Sequence, residues 1–130
     1  MAITATAPAI VAPVVNNATL YCYKPYSSLS TEYMDYSFTL TNNQNYAIGR
    51  IYYDLVFTVS TAAIPLIATA SFYTDISGGL AVGATRDFNF EPNMFSDFTT
   101  KSKPFCHDSA RLLSVKIKSA TDGGGLVHTF

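Results

Sequence analysis

The chain has 130 residues, 48% hydrophobic and 13% charged, with a formal net charge of −1. That length suits one domain with a real core, and the composition excludes intrinsic disorder. Near-neutrality excludes a partner recruited by charge, whether nucleic acid or anionic membrane, and no run approaches the roughly 20 apolar residues of a membrane helix.

The first charged side chain is Lys24. Residues 1–17 are apolar and β-branched, and Pro8 and Pro13 bar a helix, so they are expected as an extended arm or edge strand. Ile10, Val11, Val14 and Val15 gain from leaving water, on their own domain or on a neighbouring subunit, and are candidate assembly residues. No Lys or Arg precedes this stretch and prolines break it, so it does not read as a secretory signal. The expectation is synthesis in the cytosol with a virion as destination, the cell envelope being the alternative.

Strands are expected near 8–15, 18–24, 33–41, 48–59, 66–74, 85–91 and 111–119. The second carries Tyr21 and Tyr23 and runs into a turn, Lys24-Pro25-Tyr26-Ser27-Ser28. In Tyr36-Ser37-Phe38-Thr39-Leu40-Thr41 apolar residues alternate with hydroxyls, and an asparagine-rich turn over 42–45 follows. From Arg50 to Val59 one face is Ile51, Tyr53, Leu55, Phe57 and Val59, and the other begins Arg50, Tyr52, Asp54. Gly78, Gly79 and Gly83 bound a loop before Phe88 and Phe90. Pro92 to Phe98 suits one helical turn with Met94, Phe95 and Phe98 plugging a core edge. Leu113, Val115 and Ile117 alternate with Ser114, Lys116 and Lys118. A period of two, repeated in short runs between turns, predicts an all-β fold: an antiparallel, immunoglobulin-like β-sandwich of about seven strands over 18–120. Residues 121–130 read as a glycine-rich tail, with Leu126, Val127 and Phe130 as further assembly candidates.

The pieces Phe38-Thr39-Leu40-Thr41-Asn42-Asn43, Ile51-Tyr52-Tyr53-Asp54-Leu55 and Gly79-Leu80-Ala81-Val82-Gly83-Ala84-Thr85, closed by the strand from Leu112 to Ile117, resemble small bacterial envelope domains of the FxLYD and related types. The resemblance covers about two thirds of the chain and implies an immunoglobulin-like sandwich with an envelope role. It carries over no catalytic residues.

Motifs for chemistry are sparse. Cys106-His107-Asp108 has the right residue types for a nucleophile and base, but neighbours on an extended strand point to opposite faces. His128 sits in the glycine-tethered tail. Asp87, Asn89 and Glu91 share a strand face, fewer oxygens than calcium takes. Two cysteines, Cys22 and Cys106, are too few for a zinc site. They form either a disulfide or a reduced pair, and cytosolic synthesis favours reduced thiols. No catalytic residue, cofactor or metal is therefore expected.

Nine tyrosines with no Trp supply amphipathic contact surface instead. The function expected is a non-enzymatic structural subunit, a virion decoration or coat protein or a filament subunit, forming homo-oligomers or joining other structural subunits through its arms. The alternative is a bacterial envelope module that takes a protein or glycan through Tyr21, Tyr23, Tyr26, Tyr52 and Tyr53.

Overall fold

The computed structural model of the protein describes residues 11–23, 33–90 and 97–130. In chain order they form β1 (Val14–Tyr23), β2 (Tyr33–Thr41), β3 (Ile48–Val59), β4 (Leu66–Leu80) and β5 (Thr85–Phe90). Helix α1 (Asp97–Ser102) and a 3-10 turn (Lys103–Phe105) lead into β6 (Arg111–Asp122) and β7 (Val127–Thr129). The strands make two antiparallel sheets, one ordered β1-β2-β5 and the other β4-β3-β6-β7.

The alternation along each strand sets its burial. Even positions of β2, from Met34 to Leu40, are buried, and so are odd positions of β3 from Ile51 to Val59. These two rows meet in one core with Leu20, Phe88, Leu113 and Ile117. Phe38 stacks on Phe88 at 5.3 Å within its sheet and meets Tyr53 of the other sheet edge-on at 5.4 Å. The Tyr36 and Tyr53 hydroxyls hydrogen-bond across the layers at 2.8 Å, so neither buried phenol is left unpaired. Burial raises both phenols above the ordinary tyrosine range; their mutual bond raises Tyr36 further and works against the rise at Tyr53.

A disulfide joins Cys22 of β1 to Cys106, which follows the 3-10 turn. It ties the three-stranded sheet to the approach of β6 and overturns the expectation of two reduced thiols. Nothing local in the sequence signals it, because the two residues are 84 positions apart and meet only through the fold. Phe98 does plug the core, but from within α1; Met94 and Phe95 lie outside the described residues.

Three boundaries differ from expectation. The strand expected near 66–74 runs to Leu80, so Gly78 and Gly79, expected to bound a loop, lie within β4. The strands expected near 8–15 and 18–24 are, within the described residues, the single strand β1 broken by a bulge. At the bulge Asn17 has φ 56°, the one non-glycine with positive φ among the described residues. The segment 121–130 is no loose tail. β6 continues to Asp122, the glycines turn, and β7 pairs back, Ser119 with Thr129 and Thr121 with Val127. Asp122 holds this turn. Its carboxylate accepts from the Gly124 and Leu126 amides and lies 3.0 Å from His128 Nε2, while the His128 ring stacks on Tyr46 at 3.9 Å.

Asn42, expected as a turn residue, is fully buried and joins three connections. Its amide nitrogen donates to the Tyr46 and Leu80 carbonyls, at 2.8 and 2.9 Å, and its side-chain oxygen accepts from the Gln44 amide at 2.9 Å.

Candidate interaction site

The candidate assembly residues fall at two chain stretches that the fold brings together. Val11 and the start of β1 are fixed on their own domain. Gln44 Nε2 donates to the Val11 carbonyl at 2.7 Å and Asn43 Nδ2 to the Ala12 carbonyl at 3.1 Å, and Val14–Asn16 pair with β2. Phe130 returns beside β6, its amide donating to the Lys118 carbonyl at 2.9 Å. A groove of about 420 Å³ runs between the two sheets at this side, lined by Ala12, Pro13 and Val15 from one end and by Val115, Ile117 and Phe130 from the other, with Lys116 the one charged residue on it among the described residues.

Val15 and Phe130 are half-buried there, and Val11, Val14, Leu126 and Val127 remain 60%, 42%, 63% and 53% exposed. β7 covers the β6 edge only from Ser119 onward, so β6 from Leu113 to Ile117 is hydrogen-bonded to β3 on one side and to no strand on the other among the described residues, with β1 packed nearby across the groove. An unpaired edge beside an apolar groove is a place for an added strand. Ile10 lies outside the described residues.

The candidate binding tyrosines do not form one surface. Tyr53 is 2% exposed and belongs to the core, which corrects its assignment as a contact residue: the alternation of β3 points it inward. Tyr52 points outward from the four-stranded sheet beside Tyr73, their ring centroids 5.8 Å apart. The Arg50 guanidinium lies 4.7 Å from the Tyr73 centroid and 5.9 Å from that of Tyr52, and it is held by Asp75 in a two-bond fork. The pair stabilises both charged forms: Asp75 sits below the ordinary carboxylate range because Arg50 hydrogen-bonds it, and Arg50 is raised by the same bond. This is a cross-strand lock, with the guanidinium already engaged. Tyr21 and Tyr23 lie on the solvent face of the other sheet, and Tyr26 lies outside the described residues.

The sequence motifs for chemistry resolve as structure. Cys106 Sγ is bonded to Cys22 and so provides no thiolate, and Asp108 accepts from the Ala110 amide at 2.8 Å in a local turn. Among the described residues no three His, Cys, Asp or Glu side chains gather where they could hold a metal, and no helix is long and apolar enough to cross a membrane. Of the basic residues clustered over 101–118, Lys101 pairs with Asp97 at 3.0 Å and Lys118 lies 3.7 Å from Asp54.

No protein-family model matches the chain, and neither the curated proteins nor the solved structures yield a match. The functional reading therefore rests on the geometry alone. Sequence reasoning picked the apolar residues at both ends of the described fold. It missed Pro13, Val115 and Ile117, which line the same groove. The alternation of β6 carried part of that signal, since it places Val115 and Ile117 on one face.

Proposed function

We propose that this protein is a non-enzymatic structural subunit that assembles with copies of itself, or with other structural subunits, through the side where β1, β6 and β7 meet. The observation that carries the reading is the convergence of β1's opening residues and Phe130 on one mainly apolar groove beside a length of β6 that lacks a ladder partner on that side among the described residues. Added strands gain main-chain hydrogen bonds from such an edge and place alternate side chains into the adjoining groove. Full burial of one Val or Leu is worth roughly 1.5–3 kcal/mol, so a contact that covers Val11 and completes the burial of Val15 and Phe130 at the groove gains a substantial driving force. A net charge of −1 opposes it little.

The Cys22–Cys106 disulfide favours an oxidising setting over the cytosol, and both a virion surface and a cell envelope provide one. The strand order, three strands facing four with β5 returning beside β2, supports the immunoglobulin-like version of the sandwich.

Sedimentation velocity over a concentration series tests the proposal. Wild-type protein self-associates, or is incorporated when its structural partners are present, and Val11→Asp/Phe130→Asp, which puts charge at the groove, stays monomeric with the wild-type circular-dichroism spectrum. A wild-type protein that stays monomeric and unincorporated, or a double variant that assembles like wild type, would remove the reading.

A further inference from the structure

We propose that the solvent face of the three-stranded sheet binds a neutral oligosaccharide or polysaccharide, a site separate from the assembly groove. At one end of this face Tyr21 and Tyr23 project from β1, nearly parallel, with centroids 5.6 Å apart and an interplanar angle of 12°. Tyr33 of β2 continues the row at 6.2 Å from Tyr23. Tyr21 is 62% exposed, an uneconomical place for a large ring unless something covers it. The C–H face of a pyranose, slightly positive, stacks on the negative face of such a ring.

Beyond the rings the same face is polar. A shallow groove of about 410 Å³ is lined by Thr19, Ser37, Thr39, Asp87 and Asn89. Strand register sets them in rows, with Ser37 between Thr19 and Asn89, and Thr39 between Asn16 and Asp87. Hydroxyl, amide and carboxylate groups at strand spacing suit the paired hydroxyls of a sugar. Thr39 Oγ1 donates to Asp87 Oδ1 at 2.6 Å, which orients the carboxylate while its other lone pairs can accept from a ligand. Asn17 lines this groove too, and it is the residue held at positive φ by the β1 bulge. Bulges and unusual backbone conformations gather where a side chain is re-aimed at a ligand.

Charge rules out one class of ligand. The described residues pointing outward from this sheet include Asp35 and Asp87 and no Lys or Arg. Phosphate, sulfate or carboxylate groups are repelled there, and a neutral polyol is not. A second copy docked by a two-fold axis would bring these aspartates against themselves, which disfavours that occupant.

The test is a glycan array carrying neutral, sulfated and sialylated glycans, probed with the full chain, followed by amide chemical-shift mapping with any neutral glycan retained. Neutral members alone are retained, and shifts fall on Thr19, Tyr21, Ser37, Thr39 and Asn89. Tyr21→Ala weakens binding about tenfold, while Tyr52→Ala, on the opposite sheet, binds as wild type. An unchanged unfolding midpoint for Tyr21→Ala separates lost binding from lost folding. Retention of no neutral glycan, retention of acidic glycans only, shifts that follow protein concentration without glycan, or full binding by both Tyr21→Ala and Asp87→Ala would each overturn the proposal.

Discussion

Removing the Cys22–Cys106 bridge with Cys22→Ala/Cys106→Ala tests how far this sandwich depends on its one covalent tie. The sequence separation is 84. In the chain-entropy model, closing a loop of that length costs the unfolded chain about 15 cal/mol/K, which stabilises the fold by about 4.5 kcal/mol at 25 °C. Domains of this kind hold roughly 5–15 kcal/mol in total, so the bridge accounts for about 30–90% of a typical value. With an unfolding entropy of about 2.1 cal/mol/K per residue, the loss lowers Tm by about 16 °C. Urea unfolding of oxidised wild type and the double variant measures it, and the variant's m-value rises because its unfolded chain expands further. Thiol titration of the denatured, unreduced wild type should find no free thiol. A loss under 1 kcal/mol with an unchanged m-value, or two titratable thiols in the native protein, would refute the reasoning.

Tyr53→Phe leaves the buried Tyr36 hydroxyl without its partner and costs about 1–3 kcal/mol, whereas Tyr36→Phe/Tyr53→Phe costs less than the two single changes combined, as a double-mutant cycle by denaturant unfolding shows. Both phenols are raised in the folded state, so they take up protons more firmly there than in the unfolded chain. Their contribution to stability is whole below pH 10 and is lost as the pH rises above it, seen as a midpoint that falls more steeply in wild type than in the doubly Phe-substituted protein. Asp122 is held below the ordinary carboxylate range, first by its bond to His128 and then by the Leu126 amide. The stability it lends is present above that range and fades as the pH falls through its lowered value, so β7 amides lose protection relative to their intrinsic exchange rates in acid, and Asp122→Asn abolishes the change. Asn42→Ala strands two carbonyls and one amide in a buried site and costs about 3 kcal/mol or more by urea unfolding, while exposed Asn45→Ala stays within about 0.5 kcal/mol.

The sheet faces were legible because period-two alternation is a local property. Ile51 to Val59 and Met34 to Leu40 are buried on the parity their sequence dictates. The same rule already placed Tyr53 inward, and reading it as a contact residue set residue type above position. β7 was not legible, since three residues after a glycine run carry no period. Its strand state comes from Asp122, His128 and Tyr46, which meet only when β3 and β6 are paired. The cysteine pairing failed for the same reason. Asn42 reads as a turn-former in any window of sequence, and its burial follows from the closing of three loops around it. The assembly groove was half legible: hydrophobicity marked its two chain stretches, but nothing local says that Val15 and Phe130 share a wall.

The bridge between Cys22 and Cys106 also sets how the molecule bears tension. A force applied through Val11 at one end and Phe130 at the other passes from Cys22 to Cys106 without loading the chain between them. That shielded span has a contour length of about 290 Å, none of which can be paid out while the sulfurs stay joined. Under load the domain gives up β1 as far as Cys22 and the chain beyond Cys106, which carries β6 and β7, and then stops, behaving as a tether with a hard limit.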